Sequence, residues 1–271
     1  MKVALTIAGS DSGAGAGIQA DLKTFEAHQV YATTVLTAVT AQNTTSVKQV
    51  WDVPASVVSA QMEAILEDFE VGVVKTGMLV NAGIIHVVAD FLEHSAVSFV
   101  LDPVMVSTSG RLLLELDALS ALKQRLLPLS SIVTPNVAEA EQLASMKITT
   151  LDEMLEAAKK ISLDAPRSFI LVKGAHLVKE LKNLSQQKSW DVLYKNGEYE
   201  LLEAPFIYNK STHGTGCTLA SAIAANLLKG MAMAESVRRA KQYVTRAIEL
   251  APVVGHGHQP LCHNFSAYLE H

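Results

Sequence analysis

Lys2-Val3-Ala4-Leu5-Thr6-Ile7-Ala8 runs into Gly9-Ser10-Asp11-Ser12-Gly13-Ala14-Gly15-Ala16-Gly17, and that into Ile18-Gln19-Ala20-Asp21-Leu22-Lys23-Thr24-Phe25-Glu26-Ala27. The first segment is apolar and β-prone, the second is a glycine-rich turn, and the third has the spacing of an amphipathic helix. The order is strand, loop, helix. It recurs at Val71 to Lys75 with Ala82 to His94, at Ser98 to Leu101 with Leu116 to Leu127, and at Ser131 to Thr134 with Val137 to Ala144. Strands that are apolar throughout, rather than alternating, belong to a mainly parallel sheet covered by helices on both faces. Right-handed crossovers then set most of the topology. The predicted class is α/β.

Two regions depart from this rhythm. Val30 to Val53 is a long β-rich stretch, expected to form a small flap. Between Asp164 and Pro205 come a strand at Phe169 to Lys173, a polar segment from Lys179 to Ser189 and two β runs, Trp190 to Tyr194 and Tyr199 to Glu203. Asn196-Gly197 joins those runs and signals a tight hairpin. The polar segment reads as an exposed inserted loop. Gly214 to Lys229 and Ala234 to Pro252 have helical spacing, and the tail after Pro252 has no clear pattern.

The chain of 271 residues is near the upper limit for one hydrophobic core, so a single domain over residues 1–271 is expected. Apolar residues make up 49% and charged ones 18%, which excludes a mainly disordered or fibrous chain. Lys and Arg number 22 against 27 Asp and Glu, and no basic run is present to hold a phosphate backbone, so nucleic acid is not an expected partner. The longest apolar stretches fall short of the roughly 18 to 20 residues that cross a bilayer, so no membrane association is expected. Cys217 and Cys262 are too few for a disulfide framework, and no export signal is visible, so a reducing, cytoplasmic setting is expected.

The glycines of the first loop do not make a dinucleotide fingerprint, because three places beyond Gly15 stands Ile18 and Gln42-Asn43 occupies the place of the ribose-binding acid. No Gly-Lys-Ser/Thr follows any glycine pair, so a Walker loop is excluded as well. The loop either lets a planar ligand approach its backbone, with Asp11 and Asp21 as acceptors, or is simply a tight turn. Asn209 to Cys217 is a second glycine-rich turn opening a helix, where amides suit the oxygens of a transferring phosphoryl group. In the first turn of that helix the Cys217 thiol is expected to fall from about 8.5 to 7 or lower and to act as general base; the alternative is a small side chain that packs. Thr134-Pro135-Asn136-Val137-Ala138-Glu139 allows either a hydrated Mg²⁺ beside phosphates, held through Asn136 and Glu139, or a helix cap. Asp102 and Lys173 end two further strands at the edge where open α/β sheets bind ligands.

Thr6 to Asp21, Thr40-Ala41-Gln42-Asn43-Thr44, Lys75-Thr76-Gly77-Met78-Leu79, Leu101 to Val106, Thr134-Pro135-Asn136, Val172-Lys173-Gly174 and Thr212 to Thr218 together resemble the hydroxymethylpyrimidine/phosphomethylpyrimidine kinases of thiamine biosynthesis. The resemblance covers about residues 3 to 250 in order. It implies a ribokinase-like, three-layer α/β/α fold and transfer of the ATP γ-phosphoryl group to 4-amino-5-hydroxymethyl-2-methylpyrimidine and to its monophosphate. It implies that Gly9, Asp21 and Gln42 contact the pyrimidine, Gln42 through an amide that can both donate and accept. The amides of Gly214, Thr215, Gly216 and Cys217 would form the anion hole, with Cys217 as base. Lys173, Asn136 and Thr212 would meet the nucleotide, Asp102 and Glu139 the Mg²⁺, and the working unit would be a homodimer.

Many relatives carry a lysine in a pattern like Ala-Lys-Ser-Gly where this chain has Ser107-Thr108-Ser109-Gly110. The second phosphorylation then depends on Lys210 or Arg111 for a cation. A cysteine found near Ser107 in some related pyridoxal kinases is also absent. The alternatives are a pyridoxal kinase and, as a non-enzyme, a pyrimidine-binding sensor. His256, His258, Cys262 and His263 lack the spacing of a tetrahedral metal site and read as surface or packing; Leu269-Glu270-His271 matches the start of a purification tag.

Overall fold

The computed structural model describes residues 1–105, 116–174, 188–207 and 213–265. Ser107-Thr108, Arg111, Lys210, Thr212, the segment from Lys179 to residue 187 and the last three residues lie outside the described residues.

In chain order the elements are β1 (Val3–Asp11), α1 (Gly17–Ala27), β2 (Ala32–Gln42), β3 (Val47–Asp52), α2 (Ala55–Asp68), β4 (Val71–Thr76), α3 (Ala82–Glu93), β5 (Ser98–Leu101), α4 (Leu116–Ala121), β6 (Ile132–Val133), α5 (Val137–Ala144), α6 (Leu151–Asp164), β7 (Phe169–Lys173), β8 (Lys188–Lys195), β9 (Glu198–Pro205), α7 (Thr215–Leu228) and α8 (Met233–Glu249). The strands form one sheet in the order β3-β2-β1-β4-β5-β6-β7-β8-β9. From β2 to β7 all neighbours are parallel, while β3, β8 and β9 pair antiparallel at the two ends.

Side chains of successive strand residues point to opposite faces, and each face has its own core. Leu5, Val74, Leu101, Val133 and Val172 pack with α2 to α6, whereas Ala4, Val73, Val100, Ile132 and Leu171 pack with α1, α7 and α8. Being covered on both sides, these strands turn no face to solvent, which is why they read as mostly apolar runs without alternation. The layers are helix, sheet, helix.

Three expectations change. The flap is the β2–β3 edge of the main sheet, with β2 seated against β1. The helix expected from Leu116 to Leu127 is α4 followed by a π turn at Leu122–Leu126 and a 3₁₀ turn at Leu127–Leu129, because Pro128 has no amide to donate and its ring displaces the preceding turn. Lys188 and Ser189, assigned to a loop, open β8. Two helices, α2 and α6, went unassigned in the sequence, although Pro54 precedes one and a Thr150/Glu153 capping box opens the other. The Asn196-Gly197 turn has both residues at positive φ, 49° and 90°, as a two-residue hairpin of this hand requires. The tail is held down: the His258 amide donates to the Thr44 carbonyl, the Cys262 amide to that of Ala247, and Tyr243 OH to that of His263.

Beneath the loops, four elements meet on one carboxylate. Asp21 of α1 accepts from Lys75 Nζ of β4 at 2.8 and 2.9 Å, from Thr6 Oγ1 of β1 at 2.6 Å and from Ser221 Oγ of α7 at 2.7 Å. All four residues are fully buried. Burial alone would discharge Lys75, but the adjacent Asp21 charge keeps its ammonium above the ordinary lysine value. A buried pair contributes little net stability, while half of one is costly. Lys75→Met is therefore expected to lose about 3 to 5 kcal/mol in urea denaturation. Adding Asp21→Asn should restore most of that loss, because no uncompensated charge then remains; an additive double variant would contradict the pairing.

Candidate active site

The carboxyl ends of the parallel strands open into a cavity of about 860 Å³. β1 contributes Gly9 and Asp11, β2 contributes Gln42, and the turn after β4 contributes Met78. Asp102 follows β5, Asn136 and Glu139 open α5, Lys173 ends β7, and Gly214 to Cys217 open α7. Ten of the expected site residues, Gly9, Gln42, Asp102, Asn136, Glu139, Lys173, Gly214, Thr215, Gly216 and Cys217, thus line one space. Ile148, Ile207, Val244 and Ile248 add apolar lining to this cavity, which the Lys241–Asp191 ion pair also borders.

Asp21 is not among them. Its two oxygens carry four hydrogen bonds below the loop, so it supports the site from underneath instead of meeting a substrate. Its place at the ligand edge is taken by Asp11, which accepts from the amides of Gly13 (2.8 Å), Gly15 (3.1 Å) and Ala16 (2.9 Å) and faces His213 Nε2 at 2.9 Å. Burial would raise the Asp11 carboxyl, but the His213 contact and the amides outweigh it and keep it below the usual carboxylate value. His213 was missed in the sequence. Its only local signal is its position next to Gly214.

Gly214 sits at φ 81°, and no side chain caps α7. A Cβ at Gly214 would run into the Gly15 carbonyl, so the two glycine-rich loops touch backbone to backbone. The start of a helix leaves amides without intrahelical partners, and residues 214–217 turn that end to the cavity. A Cβ on Gly216 would lie 3.2 Å from Lys173 Nζ, which places the Lys173–Asp102 pair (3.1 Å) directly against this turn. Thr134 Oγ1 also donates to Asp102, at 3.1 Å.

The open choice at Asn136 and Glu139 resolves into a capping box: the Glu139 amide donates to Asn136 Oδ1 at 3.0 Å and the Asn136 amide to Glu139 Oε2 at 2.8 Å. Glu139 is nonetheless part of the charge cluster. Burial lifts its carboxyl to about 7, Lys173 opposing and Asp102 adding to the rise. Asp102 and Glu139 are the two carboxylates of this cluster, and no group of three or more His, Cys, Asp or Glu that could hold a metal occurs among the described residues.

The expected ionisation of Cys217 is overturned. Burial pushes its thiol up to about 11 against the pull of Lys75, and the negative charges of Asp21 and Asp102 push the same way.

The family model for phosphomethylpyrimidine kinase matches residues 11–262. The hydroxymethylpyrimidine/phosphomethylpyrimidine kinase of Haemophilus influenzae is 43% identical over 97% of each chain. A bifunctional thiamine biosynthesis protein of Geobacter sulfurreducens is 45% identical over 97% of this chain, which spans 52% of that longer protein. Among solved structures, an ADP complex of Bacillus subtilis pyridoxal kinase superposes with a TM-score of 0.87 at 36% identity, covering 99% of both chains. With one mainly parallel sheet, a cavity at its carboxyl edge and this extent of identity, the chain belongs to the phosphomethylpyrimidine kinase family.

Proposed function

We propose that this protein transfers the γ-phosphoryl group of ATP to 4-amino-5-hydroxymethyl-2-methylpyrimidine and then to the resulting monophosphate, in thiamine biosynthesis. The carrying observation is that Gln42, the start of α7 and the Lys173–Asp102 pair border one cavity. The names and identity of the full-length relatives support the same reading. A homodimer in the cytoplasm belongs to it as well, on the family resemblance.

In this reading the pyrimidine lies beside Gly9 and Met78, which fills the space a Gly9 side chain would need, with the Gln42 amide on its aminopyrimidine edge. The adenine of ATP packs on the apolar lining of Ile148, Ile207, Val244 and Ile248, and its phosphates reach Lys173 and the Asn136 corner; Thr212 joins them on the resemblance. The α7 amides receive the equatorial oxygens of the moving phosphoryl group. Phosphoryl transfer needs mainly alignment and charge neutralisation, and these groups supply both.

Magnesium passes a chemical fit. Asp102 and Glu139 offer hard oxygen donors on the wall of the same cavity, beside Lys173. Mg²⁺ keeps several waters and needs only one or two carboxylates from a protein. When bound, the ion would neutralise charge on the phosphate oxygens.

Cys217 is the proposed base. A thiol raised to about 11 stays protonated through neutrality, so proton acceptance by its thiolate must strengthen as pH climbs toward that value.

The pyridoxal kinase likeness favours one competing substrate class. ADP release in the presence of ATP, Mg²⁺ and each alcohol separates them: a higher kcat/KM for the hydroxymethylpyrimidine is expected, and a preference for pyridoxal would reverse the assignment. A ligand that binds by calorimetry without ADP release would mark a sensor. Cys217→Ala is expected to lower kcat by roughly 10² to 10⁴-fold with KM nearly unchanged. The parent kcat should rise between pH 7 and 10, a rise absent from the variant. Gln42→Ala should weaken pyrimidine binding by about 1 to 3 kcal/mol in calorimetry, with ATP affinity retained.

A further inference from the structure

One nitrogen in the cavity wall faces two incompatible partners. His213 Nε2 is 2.9 Å from Asp11 Oδ2 and 3.2 Å from the terminal nitrogen of the Gln42 carboxamide. An ionised carboxylate only accepts hydrogen bonds, and three backbone amides already favour the ionised form of Asp11. A bare imidazole lone pair at 2.9 Å from that oxygen would set negative against negative, so the hydrogen stands on Nε2. An Nε2 that carries hydrogen has no in-plane lone pair left to accept from the Gln42 NH₂.

The carbonyl of Gln42 resolves the conflict. The two ends of a carboxamide have nearly the same shape and exchange by a half-turn about the last side-chain bond. After that half-turn the carbonyl shares the Nε2–H with Asp11 as the longer branch of a three-centre bond, 3.2 against 2.9 Å, and the NH₂ faces Thr40 Oγ1, 3.3 Å from the other end of the amide. Thr40 Oγ1 is ready to accept, since its own hydrogen goes to the Ser10 carbonyl at 2.9 Å. Each contact along Asp11, His213, Gln42, Thr40 and Ser10 then sets a donor against an acceptor. The imidazole has little room to turn: a Cβ on Gly15 would come within 2.5 Å of its Cδ2, and the His213 backbone bridges to Pro260.

We infer that His213 is a positioning residue for substrate selection: hydrogen-bonded to Asp11 through Nε2–H, it holds the Gln42 carboxamide with carbonyl toward the imidazole and NH₂ toward Thr40. This rests on the reading that Gln42 meets the pyrimidine. The order of donor and acceptor that Gln42 presents is then set before the ligand arrives. An aminopyrimidine edge, one donor beside one acceptor, fits in one orientation, and a ring with the reverse order meets like against like.

His213→Gln carries an amide N–H to nearly the position of Nε2, while His213→Leu fills the space without one. With the hydroxymethylpyrimidine, His213→Leu should raise KM about 10- to 100-fold with kcat within about 3-fold, and His213→Gln should recover most of the loss. A packing role would make the two variants equally poor, which overturns the inference. A raised KM in Gln42→Ala with an unchanged KM in His213→Leu overturns it alone; unchanged KM in both removes the reading of Gln42 as well. Should His213→Leu not fold, ¹⁵N-labelled histidine in the unaltered protein decides. A one-bond N–H correlation at His213 Nε2 at neutral pH is expected, and a bare Nε2 overturns the inference.

Discussion

The site depends on a place where two stretches of backbone touch with nothing between them. Gly214 opens α7 at φ 81°, and its Cα lies so close to the Gly15 carbonyl that no Cβ would fit. Gly17 meets Gly9 in the same manner at φ 57°. Glycine is the residue that accepts both the left-handed conformation and the contact. The strand end on the proposed pyrimidine side and the helix end on the proposed phosphoryl side are thereby held as one body. Asp11 fastens the join, gathering amides from its own loop and His213 from the other.

Charge is layered under this join. The Asp21–Lys75 pair lies fully buried below the first loop, with hydroxyls from β1 and α7 completing its hydrogen bonds. Cys217 sits above it, and Asp102, Lys173 and Glu139 form a second group along the cavity floor. Lys75, fully buried against the Asp21 charge, stays charged, whereas at Cys217 desolvation and two nearby carboxylates outweigh the pull of Lys75 and favour the neutral thiol. The same rule explains why Glu139, flanked by a cation and an anion, is lifted to about 7.

Much of the frame could be read along the chain. Apolar strands alternating with amphipathic helices foretold the parallel sheet, Asn196-Gly197 the hairpin, and the glycine-rich stretches the two loops that meet at the cavity. These are properties of neighbours in sequence, where periodicity and positive φ leave a mark. The helices α2 and α6 escaped because their starts at Pro54 and Thr150 are brief signals next to longer β-rich and polar stretches. At Asn136 and Glu139 the spacing admitted a cap or a metal contact, and the capping box formed while Glu139 also joined the buried charges.

By itself, then, the chain's order of residues determined the layered α/β architecture, the strand-edge position of most candidate site residues and the family likeness, because each is written in local pattern or in motifs taken together. Only the tertiary structure decided what the polar groups do. Ser221 reaches Asp21 across 200 positions and His213 reaches Asp11 across 202, and nothing in the spacing of either pair announces the contact. Ionisation is decided the same way: the helix start at Cys217 argued for a thiolate, yet desolvation by the surrounding packing and the nearby charges of Asp21 and Asp102 push the thiol up, and neither is legible in the local pattern.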